Sequence, residues 1–185
     1  MKTYEAKLKS VSPYTSSRYH GIPRKERETS DDHEQRTWRH KLTMDNEGNA
    51  IINPIAFKFA LSAATKYSGD QIPGKGKRTY TKLFESGLLV TKPVPLGVHR
   101  DEVDGIDVFV NVDGKRGSGK RVMRRFPIVR EWSGVLEIIV LDDGITPEVL
   151  KKHLVIAGQF IGVGQYRCEV GGTNGRFMVE SLKEI

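Results

Sequence analysis

The glycine-rich run near the C-terminus places the strictest limit on how this chain can fold. Five glycines fall within the fourteen residues from Gly162 to Gly175, after an amphipathic helix pattern and before a short β pattern. Glycine adopts positive φ without strain and lets a second backbone segment come close, so this density predicts a tightly curled loop. The polar side chains in or beside it are suited to binding an anion: Gln165, Tyr166, Arg167, Asn174 and Arg176.

Composition restricts the class of protein. The 185 residues carry a formal net charge of +7, which favours partners with phosphate backbones or anionic surfaces. Cys168 is the only cysteine, so an internal disulfide is excluded and a reducing compartment is indicated. No apolar run reaches the roughly 20 residues that a membrane span needs, and the first residues do not resemble a signal peptide. We therefore expect a cytoplasmic protein without a membrane partner.

The periodicity of apolar residues predicts an α+β fold. Alternation predicts strands over residues 3–11 and 176–182, and the apolar segments 88–90 and 135–141 are predicted as further strands. Helices are predicted to begin at Asn53-Pro54 and at Thr146-Pro147, where a capping side chain precedes a proline. The resulting order, βαββαβ, predicts a modified ferredoxin-like (RRM-like) antiparallel sheet with two helices.

Several segments lie outside this plan. We predict one domain over residues 1–185 with insertions at about 12–36 (an N-terminal arm), 69–86 (a basic loop) and 105–130 (a basic hairpin finger). Residues 37–44 alternate and predict a further strand, while Pro93 and Pro95 indicate a turn. Trp132, near a strand start, is expected in the core.

Two segments resemble a known family. Residues 48–64, GNAIINPIAFKFALSAA, place Pro54, Phe57-Lys58 and Leu61 as in a motif at the start of that family's first helix, and the terminal glycine loop is similar to its glycine-rich loop before the last strand. The family is the RAMP superfamily (repeat-associated mysterious proteins), which includes backbone subunits and processing enzymes of CRISPR RNA-guided complexes. Phe59, where the family has glycine, marks a divergent and possibly stand-alone relative. The resemblance implies binding of single-stranded RNA along the sheet and the glycine-rich loop.

Positive charge concentrates in residues 115–130, which contain no acidic residue. Like charges at this density repel one another unless water or a polyanion screens them, so we predict that the hairpin finger lies along a phosphodiester backbone. Its candidate binding residues are Lys115, Arg116, Lys120, Arg121, Arg124 and Arg125. Arg167, Asn174 and Arg176 of the glycine loop are expected to join loop N–H groups in a phosphate nest.

A second basic segment covers residues 75–82. GDQIPGK, residues 69–75, nearly spells a nucleotide-binding P-loop, but Gly76 replaces the Ser or Thr that would hold magnesium, and the segment follows a helix. We therefore expect no bound nucleoside triphosphate and no cofactor. Lysines beside an aromatic ring suit single-stranded nucleic acid. The candidates are Lys75, Lys77, Arg78 and Tyr80, with Lys58 on the first helix.

The N-terminal arm pairs aromatics with arginines, a combination that suits unpaired bases and protein interfaces equally. Tyr14, Tyr19 and Trp38 are its aromatic candidates.

The five histidines are scattered along the sequence, which predicts no metal site. A general base for RNA cleavage would be His20 or His40.

We predict a non-catalytic protein that binds single-stranded RNA or DNA with little sequence preference, and that self-associates along the strand or joins a protein complex. Two alternatives stay open. The first is a metal-independent RNA endonuclease of the RAMP type. The second is a protein-interaction decoy or inhibitor of an RNA-guided complex.

Overall fold

A computed structural model describes residues 1–111 and 119–185, and its elements are antiparallel strands and α-helices. The helices are α1 Ser30–Thr37, α2 Pro54–Ser68, α3 Thr81–Gly87 and α4 Pro147–Ile156. The strands are β1 Lys2–Ser10, β2 Tyr14–Thr15, β3 Asn49–Ile52, β4 Leu88–Leu89, β5 Val94–His99, β6 Asp104–Asn111, β7 Arg121–Val129, β8 Ser133–Val140 and β9 Phe177–Glu184. The predicted α+β class is confirmed.

The main sheet contains four antiparallel strands in the order β4, β8, β1, β9. In β1, Tyr4, Ala6 and Leu8 are buried while the residues between them are more exposed, as alternation requires of a sheet with one face on the core. Helices α2 and α4 pack into that core. The edge of the Phe57 ring meets the Phe177 ring of β9 at 5.8 Å between centroids.

Both helix starts predicted from the sequence are confirmed. The Asn53 side chain accepts a hydrogen bond from the Ile55 N–H at 3.0 Å, and the Thr146 hydroxyl accepts one from the Val149 N–H at 3.4 Å. Gly69 ends α2 with a left-handed φ of 63°. These ends were predictable because caps act within a single turn.

The predicted hairpin is formed by β6 and β7, with β2 on the other side of β7. Asp107 lies opposite Arg125, and the two side chains form an ion pair at 3.7 Å. Arg130 pairs with Asp104 at 3.1 Å. Carboxylates from a different strand therefore offset part of the repulsion within the basic segment. The predicted binding residues Lys115 and Arg116 lie outside the described residues.

The strand predicted over residues 37–44 is wrong. Residues Trp38–Lys41 form a 3₁₀ turn that continues α1. Trp38 is buried, with the guanidinium groups of Arg39 and Arg125 over its ring at 4.4 and 5.0 Å. Trp38 is therefore buried within a turn, in contact with Arg125 from a distant part of the chain, and not within a pleated strand.

Other elements were missed from the sequence. The N-terminal arm contains α1, the basic loop ends in α3, and Pro95 lies within β5 where only a turn was predicted. Proline is tolerated there because β3 and β5 form a two-stranded sheet, in which each strand has a free edge. Trp132 is buried, as predicted. Within the described ranges, no helix is both long and apolar enough to cross a membrane.

Candidate nucleic-acid interface

The glycine-rich loop folds back tightly on itself. The Val163 N–H donates to the Gly175 carbonyl and the Asn174 N–H to the Tyr166 carbonyl, each at 3.0 Å. A Cβ added at Gly172 would lie 1.8 Å from the Tyr166 oxygen, and one at Gly175 would lie 1.9 Å from the Val163 oxygen. The close approach that the glycines allow is therefore between two arms of the same loop.

Residues 13–15 hold this loop in place. The Gln165 N–H donates to the Thr15 carbonyl at 2.8 Å, and the Thr15 hydroxyl donates to the Gln165 carbonyl at 2.6 Å. The Gly175 N–H donates to the Pro13 carbonyl at 2.7 Å, and the Asn174 amide donates to the Thr15 hydroxyl at 3.1 Å. These internal bonds use the loop N–H groups, so the predicted nest of backbone donors is wrong for residues 163, 165, 174 and 175. A phosphate at the loop could not bind these four N–H groups.

Three neighbouring cavities lie along the glycine-rich loop. The first, of about 580 Å³, lies between α2 and the loop, and the second, of about 600 Å³, lies between the loop and the start of α2. They share Ile55, Ala56 and Gly164. The third, of about 720 Å³, lies between the loop, the N-terminal arm and the hairpin, and shares Ser17 and Gln165 with the second. Because neighbouring cavities share lining residues, the three lie side by side, and we call them together the loop groove.

Cations predominate among the described side chains that line the loop groove. Three carboxylates (Glu34, Glu85 and Glu169) face eight cationic side chains: Arg18, Arg24, Lys41, Lys58, Lys66, Arg121, Arg124 and Arg167. Arg18, Arg24 and Arg121 are exposed and form no ion pair with any carboxylate that the structure describes. Such side chains exchange water for phosphate with little desolvation, and each neutralised phosphate releases counterions.

The third cavity, which we call the hairpin cavity, combines charge with aromatic surface. The Lys41 ammonium lies 4.6 Å from the centre of the Phe126 ring, and the edge of the Tyr166 ring packs on Phe126 at 5.7 Å. Phe109 also lines the cavity and is 60% exposed. Burial raises the pKa of the Tyr166 hydroxyl, which therefore stays protonated near neutral pH. The hairpin cavity thus offers stacking surface beside cationic groups.

The loop groove brings together some of the predicted binding residues. Lys58, Arg121, Arg124, Gln165 and Arg167 line it. Asn174 and Arg176 stabilise the loop through hydrogen bonds within the protein. The Asn174 amide donates to the Thr15 hydroxyl, and the Arg176 guanidinium donates to the Gln159 carbonyl at 3.0 Å. Lys120 is exposed beside the hairpin, and Arg125 covers Trp38.

Two predicted positions have structural roles that the sequence did not indicate. The Lys58 ammonium donates to the Leu88 carbonyl at 2.8 Å and to the Phe84 carbonyl, joining α2 to the end of α3, and burial lowers its pKa. Tyr80 is 8% exposed and packs against His153 at 5.6 Å between ring centroids. The prediction that Tyr80 stacks on a base is therefore wrong.

The basic loop does not line the loop groove. Lys75, Lys77 and Arg78 are exposed and follow the C-terminal end of α2. None of the three lines a cavity of the groove as the structure describes it.

Sequence reasoning missed Arg24, Lys41, Phe109 and Phe126. No local signal marks them, because their common feature is contact across segments that are distant in the chain. Of the arm's aromatics, Tyr14 and Trp38 are buried, which removes them as stacking candidates, whereas Tyr19 is 90% exposed.

The histidines of the N-terminal arm are not scattered in space. The His20 ring lies 6.1 Å from that of His33 and 6.3 Å from that of His40, between centroids. Burial lowers the pKa of both His20 and His40, helped by nearby cationic groups such as Arg100 beside His40. Within residues 1–111 and 119–185, no group of side chains has the geometry of a metal site.

The chain has no match among protein-family models or among curated protein sequences. It is similar in structure to a chain of the "Type III-B Cmr-beta bound to cognate target RNA", with a TM-score of 0.53 and 12% identity. That match covers 100% of this chain and 60% of the other, so this chain spans well under two thirds of that relative's length.

Two further solved structures match with lower scores. Cmr6 from Pyrococcus furiosus matches at a TM-score of 0.49 and 13% identity, over 96% of this chain and 97% of the other. A chain of a "CRISPR RNA-guided surveillance complex" matches at 0.44 and 9%, over 98% and 68%. The likeness to the Cmr-beta chain is a likeness of fold.

Proposed function

We propose that this chain is a divergent RAMP-type protein of the modified ferredoxin-like plan and that it binds single-stranded nucleic acid, RNA or DNA, along the loop groove. The observation that carries the proposal is the adjacency of three cavities along a braced glycine loop, of which the first and the third are rich in cationic side chains. The strand order β4, β8, β1, β9, with α2 and α4 as the connecting helices, supports the ferredoxin-like plan.

The side chains of the loop groove favour an unpaired strand. Cations and exposed aromatic rings lie side by side, with Phe109 near Arg121 and Phe59 near Lys58. In a duplex the base faces are stacked and inaccessible to such rings, whereas a single strand exposes both its bases and its phosphates. Electrostatic contact supplies most of the affinity, and stacking adds to it.

Binding to single-stranded RNA, single-stranded DNA and duplex over a salt series tests the proposal. Affinity is expected to fall steeply with salt and to be lowest for duplex. Arg24→Glu combined with Arg121→Glu is expected to lower affinity at least tenfold at 100 mM salt. Lys151→Glu with Lys183→Glu makes the same charge change on exposed lysines outside the groove and is the matched control. Equal losses in both pairs would reject the groove as the binding surface.

Assembly belongs to the same proposal. The rings of Tyr67 and Phe160 stack at 5.1 Å between centroids and are 61% and 46% exposed, an apolar surface outside the loop groove of the kind that protein contacts cover. We propose association with further copies or with other subunits when the strand is bound. Sedimentation with and without a long single strand tests this.

The decoy alternative instead predicts tight capture of a protein complex with no salt-sensitive affinity for nucleic acid.

The histidine cluster favours a second candidate, metal-independent cleavage of RNA. His33 lines the hairpin cavity and His20 lies beside it, so imidazole groups stand next to the proposed path of the strand. Cleavage would persist with EDTA present and would be lost in His20→Ala or His40→Ala while binding persists. We favour the non-catalytic protein, for which labelled RNA stays intact through long incubation.

A further inference from the structure

Two adjacent residues that line the hairpin cavity each carry a buried polar atom that the fold leaves without a partner. The side-chain oxygen of Gln165 and the hydroxyl of Tyr166 are both buried, and neither has a hydrogen-bond partner among the described residues. Both residues line the cavity. A buried polar group without a partner is destabilising, and native proteins contain few of them. Two on adjacent residues beside one cavity indicate that something else supplies the partners.

The backbone at this point is also unusual. Tyr166 has a φ of 55°, a left-handed conformation that bulky side chains rarely adopt. Two hydrogen bonds hold it there: the N–H of the preceding residue, Gln165, donates to the Thr15 carbonyl, and the Tyr166 carbonyl accepts from the Asn174 N–H. The fold therefore holds both side chains at the cavity at an energetic cost, as binding sites often do.

The missing partners have a defined chemistry. The Gln165 oxygen needs a hydrogen-bond donor, and the protonated Tyr166 hydroxyl needs an acceptor. Nucleobases carry a donor next to an acceptor on their pairing edges, whereas the sugar-phosphate backbone has no comparable planar edge. Phe109 offers a ring for the base face, and Arg24 and Arg121 are available for its phosphates.

We propose that the hairpin cavity takes one unstacked nucleobase of the bound strand and holds its edge with the side chains of Gln165 and Tyr166. This inference rests on the proposed function, because the strand must first occupy the loop groove. It remains compatible with little sequence preference, since every base has both a donor and an acceptor. It goes beyond electrostatic binding in making affinity depend on the presence of bases.

Abasic strands test the inference directly. Binding is measured for a mixed-sequence 12-nucleotide DNA and for a strand of the same length made of abasic sugars, which carries the same phosphates. The wild-type protein is expected to bind the abasic strand at least tenfold more weakly. Tyr166→Phe and Gln165→Leu are each expected to lower affinity for the base-containing strand about 3- to 10-fold, as the loss of one hydrogen bond implies. Their affinity for the abasic strand should stay unchanged.

The possible results separate the two proposals. Equal affinity for both strands overturns the base site and leaves the electrostatic groove standing, while no binding of either strand rejects both. A preference for bases that survives both substitutions assigns the effect to stacking alone and also overturns the inference. Tyr166→Phe keeps the ring against Phe126, so it tests the hydroxyl even if Gln165→Leu folds poorly. Gln71→Leu, on the exposed basic loop, is the matched control.

Discussion

Glu34 and Lys41 form an ion pair that is almost closed off from solvent, their side chains being 10% and 12% exposed. The Lys41 ammonium also donates to the Arg125 carbonyl at 3.0 Å, and the Glu34 carboxylate accepts from the Arg125 N–H at 3.0 Å. One buried pair therefore joins α1 and the turn after it to β7. The wall of the hairpin cavity depends on this connection, because both residues line it.

We predict that Glu34→Gln destabilises the protein by about 3 kcal/mol, because removing one partner leaves the Lys41 charge buried without compensation. Chemical denaturation of the variant and the wild type measures the loss. Glu180→Gln, which changes an exposed carboxylate on β9, is the control and should leave the midpoint unchanged. A Glu34 variant as stable as that control would show that the pair does not hold the arm to the hairpin.

The sequence predicted what local chemistry determines. Helix starts at Asn53 and Thr146 follow from caps, and the strands of the main sheet follow from alternation. Prediction from the sequence failed where contacts between residues distant in the chain determine the structure. Trp38 is buried by Arg125, 87 positions away, so its segment could not be distinguished from a strand by its pattern. Tyr80 is buried for the same kind of reason, by contact with His153.

The loop groove was only partly predictable. The glycine loop and the arginines of the hairpin were identified because each is a dense local signal. The alignment of Arg24, Lys41 and Phe109 around one cavity could not be predicted, since it depends on packing of the arm against β7. The glycines were predicted to let a second backbone segment come close, and at Gly172 and Gly175 that segment belongs to the loop itself.

We predict graded effects of alanine at three glycines. Gly119→Ala should change little, because its Cβ would meet nothing within 4 Å. Gly171→Ala should cost about 1 kcal/mol, because φ is +83° in otherwise open space. Gly172→Ala should cost at least about 2 kcal/mol and weaken strand binding, because its Cβ would overlap the Tyr166 oxygen. Thermal unfolding and strand affinity of the three variants give the order, and equal effects would contradict the loop packing described above.

We predict that stability falls as the pH drops from 7 to 5, in part through His153. Its side chain is 1% exposed, and burial lowers its pKa below the ordinary value near 6.5, although the Val149 carbonyl and Asp70 act in the opposite direction. Below that pH the unfolded chain takes up a proton that the folded chain resists, so acid favours unfolding. His20 and His40 contribute with the same sign. Because His153→Leu leaves both in place, the free energy of unfolding should fall less between pH 7 and 5 in this variant than in the wild type, and an equal fall would exclude His153 as a cause.

We predict that Phe109 and Arg121 contribute to strand binding in separable ways. Arg121→Ala removes one cation, so the slope of log affinity against log salt should become shallower by about 0.7, the value for one phosphate contact on a single strand. Phe109→Ala removes a stacking surface that is 60% exposed, so affinity should fall by about 1–3 kcal/mol with the slope unchanged. Met178→Ala, which removes an exposed apolar side chain on β9 outside the loop groove, should change neither quantity. Salt titrations of the three variants against one labelled 12-nucleotide strand measure both effects, and a changed slope in Phe109→Ala would mean that the ring positions a cation instead of stacking on a base.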